Sequence, residues 1–219
     1  MLRLRLSLLV TAFFVAGIAS GDDSAPQDAE RIRVTTERAQ KIVVKLGVED
    51  EVQANRVRDL IARQYRDLSD IHAKRDSGLA AVKGEEKSEI ENAKAAVRKD
   101  AEFEQFRLHY AFLAKLAVEL TPSQVDHVKD GMTFGVVPIT FQRYQELLPT
   151  LTDEQKRHIH SLLIEAREHA MDAGSSEAKH AMFGKYKGRI NNYLSAAGFD
   201  LKAAERSLQE RERAVKTGG

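Results

Sequence analysis

The sequence predicts an all-α protein, a single helical domain with long amino-terminal helices and a shorter carboxy-terminal helical bundle. Three observations predict this class. Apolar residues recur at helical spacing along most of the chain. The same helix-start pattern occurs twice in the middle of the chain. No segment shows the alternation of apolar and polar residues that is typical of a half-buried strand.

Residues 1–21 are predicted to be a signal peptide. Arg3 and Arg5 precede an apolar run over residues 6–18, and small residues follow up to Gly21. The run is shorter than the roughly 20 residues that a membrane-spanning helix needs. We therefore expect a periplasmic or extracellular protein without a stable membrane anchor after cleavage. The sequence contains no cysteine, so lipid attachment at a processed cysteine is excluded.

The composition excludes several classes of function. Removal of Arg3 and Arg5 with the signal leaves 32 of the 34 basic residues against 33 acidic ones, a balance that does not suggest nucleic acid as a partner. No phosphate-binding loop, nucleophile motif or convincing metal-ligand spacing is present. We therefore expect no cofactor and no metal, and the sequence identifies no catalytic residue. It leaves the oligomeric state open.

The first three helices are predicted to be long. Residues 22–28 are polar and are expected to form a flexible leader, followed by the single all-α domain at residues 29–219. Apolar spacing predicts a first helix that ends near Gly47, a second over about 49–76 and a third over about 85–119. Gly78 and Gly84 are expected to bracket a weak connection between the second and third helices.

The segment "DGMTFGVVPITFQ", residues 130–142, is expected to interrupt the helices. Gly131, Gly135 and Pro138 break the helical spacing, yet the segment is too apolar for a solvated loop. Two interpretations remain open, a buried connection, which is favoured, and a binding loop. Shorter helices are predicted after it, at about 140–148, 153–172, 177–197 and 201–214.

Two matching helix starts, "LTPSQ" and "LTDEQ", predict capping boxes. Thr121 and Thr152 are the predicted N-caps, and Gln124 and Gln155 stand where their side chains can reach back to the cap. The pair resembles the LTxxQ motifs of small helical periplasmic chaperones of the Spy and CpxP type. That resemblance implies an alternative function, in which a concave helical surface holds unfolded client proteins during envelope stress.

The stretch "KYKGRINNYLSAAGFD" carries the candidate ligand-binding surface. On a helical wheel, Lys185, Arg189 and Asn192 form a polar arc, and Tyr186 and Tyr193 lie at its border with the apolar face. Arg and Asn groups can form the paired hydrogen bonds that vicinal sugar hydroxyls require, and a tyrosine ring can cover the apolar face of a pyranose. A carboxylated sugar would suit the two cations further. The alternative is an edge of the core that long side chains shield.

A nearly bare strip of this helix contains Gly184, Gly188 and Ser195, with Asn191 at its edge. Each glycine costs about 1 kcal/mol relative to alanine inside a helix, so we expect close approach by another helix or by a ligand. Arg167 of the preceding helix is expected to join the site. The full set of candidate ligand-binding residues is Arg167, Lys185, Tyr186, Arg189, Asn191, Asn192 and Tyr193.

The region from "LTDEQ" through "EAREHAMDAG" and "KH" to "KYKGRINNYL" resembles a secreted bacterial family of unknown function whose description proposes sugar binding. The resemblance implies an exported helical protein that binds carbohydrate or takes part in extracytoplasmic polysaccharide handling, and it supplies no catalytic residue. A third function is a lyase acting on uronate-containing glycans, because Tyr, Lys, Arg and Asn can serve proton abstraction and carboxylate neutralisation. Whether the protein is an enzyme therefore stays open.

Overall fold

A computed structural model describes residues 24–217, and the predicted signal peptide lies outside them. The described residues form eight helices and no strand, which confirms the all-α class. In chain order the helices are α1 (Ser24–Val43), α2 (Glu51–Ala81), α3 (Lys87–Glu119), α4 (Pro122–Met132), α5 (Val136–Leu147), α6 (Asp153–Met171), α7 (Ser176–Ala196) and α8 (Leu201–Thr217).

The amino-terminal core is formed where α1 and α4 pack on the long hairpin of α2 and α3. Ala39 of α1, Val57 and Ile61 of α2, and Leu116 of α3 are fully buried in it. Their spacing within each helix places them on one face, as the apolar periodicity predicts. Each buried aliphatic side chain of this size contributes roughly 1.5–3 kcal/mol to stability.

The carboxy-terminal core is formed mainly by α5, α6 and α7, with α8 packed against α5 and α7. Leu163 of α6 and Ile190 and Leu194 of α7 are fully buried there, and Phe183 is 1% exposed. In α7 these apolar residues recur at intervals of seven and four, so one face of the helix is buried and the opposite face is free for polar residues.

Both predicted capping boxes are present. The hydroxyl of Thr121 accepts from Gln124 N at 3.3 Å, and Gln124 Oε1 accepts from Thr121 N at 3.0 Å. The corresponding distances at Thr152 and Gln155 are 3.2 and 2.9 Å. Asp200 caps α8, accepting from a backbone N–H of its first turn at 2.9 Å. These local bonds fix where α4, α6 and α8 begin.

Three boundaries differ from the sequence prediction. Residues 24–28 of the predicted leader belong to α1. Gly78 lies inside α2, which continues to Ala81. The missing side chain lets α3 approach closely, since a Cβ at this position would lie 3.0 Å from Val97 Cγ1. The segment over residues 130–142 is largely helical, since α4 ends at Met132 and α5 begins at Val136.

Pro138 does not prevent α5 from beginning within this segment. Pro138 is the third residue of α5, where a backbone N–H has no partner within the helix, so its loss is tolerated. Only residues 133–135 lie between the two helices, and Gly135 has a φ of 66°, a left-handed conformation that suits glycine. The predicted interruption is therefore a tight turn rather than a long connection.

Candidate functional site

A cleft of about 1200 Å³ opens between the amino-terminal helices and the turn that joins α4 to α5. Its walls come from α1, α2, α4 and that turn, and the first turn of α7 closes it. Pockets that hold small molecules usually occupy roughly 300–1000 Å³, so this cleft has room for a ligand of several rings.

A row of cations lines the α1 side of the cleft. Arg31, Arg38 and Lys41 of α1 and Lys45 of the following turn all belong to the wall. Arg31 forms an ion pair with Asp70 at 2.5 Å. The other three cations are exposed and form no ion pair with any residue that the structure describes. They give this wall a positive charge that no ion pair within the described residues neutralises.

Phe134 projects at the turn between α4 and α5. It is the only described residue other than glycine with a positive φ, 60°, and its side chain is 52% exposed. A left-handed backbone costs a bulky L-residue roughly 1–2 kcal/mol. The ring stacks on His180, with centroids 5.3 Å apart and an angle of 16° between the planes. The strained backbone thus holds an aromatic ring at the cleft instead of in the core.

The turn is fixed from beneath by its neighbours. Thr133 is fully buried, and its hydroxyl donates to Lys129 O at 2.8 Å. The backbone N–H of Gly135 donates to Asp130 O at 2.7 Å. The anchoring residues of this segment are buried, as in a buried connection, whereas Phe134 faces the cleft. The binding-loop interpretation stays a prediction.

Asp130 belongs to the α4 wall of the cleft and is held there by Arg167. Arg167 Nη1 donates to Asp130 Oδ1 at 2.9 Å, and Arg167 Nη2 donates to Asp126 Oδ1 at 2.6 Å. The Arg167 side chain is only 4% exposed. Its position on α6 faces α4, so the charge is buried against carboxylates and does not join the polar arc of α7.

A polar junction lies behind this wall and ties α2 and α3 to the end of α6. Lys129 pairs with Glu168 at 3.0 Å. His109 Nδ1 donates to Asp172 Oδ2 at 2.8 Å, and this hydrogen bond raises the pKa of His109. His72 Nε2 donates to the backbone oxygen of Asp172 at 2.7 Å. The junction therefore holds the two halves of the molecule in one arrangement.

Two titratable side chains in the cleft have pKa values shifted by burial. Lys179 Nζ donates to Ala170 O and Met171 O at 3.1 and 2.9 Å, which satisfies carbonyls at the end of α6, and burial lowers its pKa to about 8. Burial raises the pKa of Tyr65 to about 12, so its hydroxyl stays protonated and can donate a hydrogen bond to a ligand.

The α6–α7 seam, defined by Glu165, Tyr186, Arg189, His158 and Tyr193, is a second polar and aromatic region. Tyr186 Oη donates to Glu165 Oε1 at 2.7 Å and lowers the pKa of that carboxyl. Arg189 Nη1 donates to the same oxygen at 3.3 Å, and its guanidinium lies 4.7 Å from the Tyr186 ring centroid. The rings of His158 and Tyr193 are 4.2 Å apart. Glu165 therefore bonds to both Tyr186 and Arg189, and His158 and Tyr193 are in ring contact.

The seven predicted ligand residues therefore fall in three places. Lys185 and Asn192 are exposed on the same side of α7 as the seam residues Tyr186, Arg189 and Tyr193. Asn191 points elsewhere, since its Oδ1 accepts from Tyr144 Oη at 2.7 Å beside a cavity of about 480 Å³ between α5, α7 and α8. Arg167 is buried at the α4 contact described above. The structure brings five of the seven together and separates the other two.

The bare strip of α7 faces open space. A Cβ built on Gly184 or on Gly188 would meet no atom within 4 Å. Close packing of another described helix therefore does not explain either glycine, and close approach by a ligand stays a prediction. Gly198, in contrast, follows the end of α7 with a φ of 91°, a left-handed conformation typical of a residue that ends a helix.

A family model described as "Protein of unknown function (DUF3826)" matches residues 32–214. The chain belongs to this family. The matched region runs from α1 into α8 and so contains the polar junction, the α6–α7 seam and all of the cleft lining except Arg31. No curated protein matches the sequence.

Sequence reasoning missed the two features that mark the cleft of this DUF3826 protein. Arg31, Arg38 and Lys45 recur every seven residues, a spacing that already places them on one side of a helix. The exposure of Phe134 had no sequence signal, because a left-handed conformation is not expected of phenylalanine. The nearby glycines and proline did mark the segment as unusual.

The described residues include neither a metal-binding cluster nor a membrane-spanning helix. Within residues 24–217 no three or more His, Asp or Glu side chains are grouped in a way that could hold a metal ion. None of the helices over that range combines the length and apolar character that crossing a membrane requires.

Proposed function

We propose that this DUF3826 protein is exported and binds an acidic carbohydrate in the cleft. The observation that carries the proposal is the placement of Phe134, exposed on a strained backbone, in the same cleft as three cations without ion pairs. An aromatic ring covers the apolar face of a pyranose, and cations bind its carboxylate. Export is supported by the order of basic, apolar and small residues at the amino terminus.

The aromatic residue separates this proposal from a purely structural account. Cations near the carboxyl end of a helix interact favourably with its dipole, so Lys41 and Lys45 have a structural reason to be there. The helix dipole gives no such reason for Phe134. Glycine or asparagine would adopt the same φ at this position with less strain. Strain of this sort persists at sites where function requires a particular side chain.

The cleft also offers groups that bind neutral hydroxyls. Tyr65 supplies a protonated phenol, and Ser69 and Ser175 contribute to the wall. Asp130 accepts hydrogen bonds, and Arg167 fixes its orientation. The Asp130 carboxylate repels a ligand that carries negative charge on every side. The ligand is therefore expected to present acidic groups towards α1 and hydroxyls towards α4.

One observation favours a chaperone as a second candidate. Phe103, Phe106 and Tyr110 lie three and four residues apart on α3, and they are 60%, 60% and 57% exposed. A solvent-facing apolar stripe of this kind can hold an unfolded client. A chaperone would suppress the aggregation of reduced insulin at equimolar concentration, and Phe106→Ser would remove that effect without changing glycan binding.

The carbohydrate proposal is tested with the mature chain and two matched charge reversals. Lys41→Glu places an acid in the cleft, and Lys185→Glu makes the same change on α7 next to the seam. Isothermal titration calorimetry against acidic and neutral oligosaccharides is expected to show binding of the acidic ones only. Lys41→Glu should weaken that binding at least about tenfold, a loss of about 1.4 kcal/mol, and Lys185→Glu should not.

Phe134→Gly provides an independent readout. Because glycine relieves the left-handed strain, the free energy of unfolding should stay unchanged or rise by up to about 1 kcal/mol, while glycan binding is lost. Loss of binding in Lys185→Glu or Arg189→Ala alone would place the site at the seam. Absence of binding to every acidic glycan would reject the proposal, and formation of unsaturated uronates would show that the protein is a lyase.

A further inference from the structure

The row formed by Arg38, Lys41 and Lys45 has a defined spacing. Arg38 and Lys41 are three residues apart in α1, about 4.5 Å along the helix axis. Lys45 follows four residues later, in a tight turn whose N–H groups bond to the carbonyls of residues three and four positions earlier. That step is roughly 6–8 Å, depending on the rise per residue.

The turn that carries Lys45 is held in place by α4. Gln124 Nε2 donates to Leu46 O at 3.1 Å, and Leu46 itself is buried in the amino-terminal core. The same Gln124 closes the capping box that begins α4. The backbone of Lys45 therefore keeps a fixed position relative to that of Arg38 and Lys41, although its side chain is exposed.

We infer that the ligand is a polyuronate in which consecutive sugars each carry a carboxylate, and this inference rests on the proposed function. The two steps along the axis, about 4.5 Å and roughly 6–8 Å, bracket the length of one pyranose unit in an extended chain. A glycan with a carboxylate on every second sugar spaces its charges about twice as far apart. Such a glycan can satisfy Arg38 and Lys45, but it leaves Lys41 between them without a partner.

The other wall of the cleft fits the same ligand. Phe134 offers a ring for one sugar face, and Asp130 accepts from hydroxyls at the edge opposite the carboxylates. An unbranched polyuronate presents acidic groups, hydroxyls and apolar ring faces on each unit, so one repeat satisfies all three features. A flexible acidic peptide presents the charge without the ring faces.

The test compares ligands of equal charge. Galacturonate oligomers of increasing length are titrated into the mature chain, with oligosaccharides that alternate glucuronate and N-acetylglucosamine, and with oligoglutamate, as comparators. Affinity is expected to rise at least about tenfold from the galacturonate monomer to the trimer and then to level off. The alternating glycan with three carboxylates and triglutamate should each bind at least about tenfold more weakly than the galacturonate trimer.

Lys41→Gln then examines the middle position directly. The variant should lose most of the advantage of the galacturonate trimer over the alternating glycan, because only the contiguous ligand has a carboxylate for that residue. Binding of the alternating glycan should hardly change. Lys99→Gln, which removes an exposed cation of α3 outside both the cleft and the α6–α7 seam, is the matched control and should leave both affinities as they are.

The outcomes separate this inference from the proposed function. Equal affinity for contiguous and alternating glycans, or for galacturonate monomer and trimer, overturns the polyuronate inference and leaves an acidic-sugar site in the cleft. Equal affinity for oligoglutamate shows a site for any polyanion and overturns both. Failure of every acidic sugar to bind rejects both, and a Lys41→Gln variant with an unchanged preference rejects the spacing argument.

Discussion

The cleft and the α6–α7 seam contain similar side chains but differ in how those side chains are satisfied. On the seam, Arg189 covers the ring of Tyr186, and both bond to Glu165. In the cleft, Lys41 has no ion pair within the described chain, and the Phe134 ring is half exposed. Polar and aromatic groups that bind one another can simply close the edge of a core. Groups that the fold leaves unsatisfied are the better candidates for a ligand.

The largest expected difference between the two regions concerns their arginines. Arg167→Met leaves the partly buried Asp130 without its partner and should lower the free energy of unfolding by about 3 kcal/mol. Arg189→Met removes a half-exposed pair and should change it by less than about 0.5 kcal/mol. Urea denaturation of both variants measures these changes. Similar losses of unfolding free energy would show that the Arg189 contacts stabilise the fold as much as the Arg167 contacts do.

Glycines in the two regions should respond with opposite sign. A Cβ on Gly131, in the cleft, would lie 2.9 Å from two carbons of Ile42, so Gly131→Ala should destabilise by roughly 1–2 kcal/mol. Gly188→Ala meets open space and should stabilise by about 1 kcal/mol. Differential scanning calorimetry measures both. If Gly188→Ala also abolished glycan binding, the bare strip of α7 would be a ligand surface and the comparison would be reversed.

The smallest expected effect is a dependence of stability on pH at the junction behind the cleft. Asp172 raises the pKa of His109 above its ordinary value of 6.5 in the folded protein. The stability that this histidine contributes is therefore fully present below pH 6.5 and is lost as pH rises through the higher folded-state value. His109→Gln should remove that slope in denaturation curves measured across this window. If stability depends on pH in the same way in this variant, other titratable groups cause the dependence.

The sequence predicted the features that depend on neighbours along the chain. Thr121 and Thr152 begin helices because each bonds to a residue three positions later. The arc of Lys185, Arg189 and Asn192 does lie on one exposed side of α7, as the helical wheel requires. Whole-helix periodicity also gave the fold class. These predictions needed no knowledge of how the helices pack together.

Features that depend on tertiary packing were not predictable in this way. Arg167 follows a helical pattern compatible with either face of α6, and only the position of α4 determines that it is buried. The cleft exists because α1 lies beside α4 and the following turn. The left-handed backbone of Phe134 is set by its buried neighbours rather than by its own preference.

The far end of the α2–α3 hairpin gives one part of the chain a separate unfolding behaviour. No side chain between residues 73 and 100 is buried, whereas His72 before this range and Ala101 after it are. Opening this end exposes little apolar surface. Its amide hydrogens should therefore exchange through local opening, with a free energy well below that of global unfolding. We therefore expect the hairpin end to open as a unit of its own, to be the first site that proteases reach, and to accept changes in helix length without disturbing the cleft.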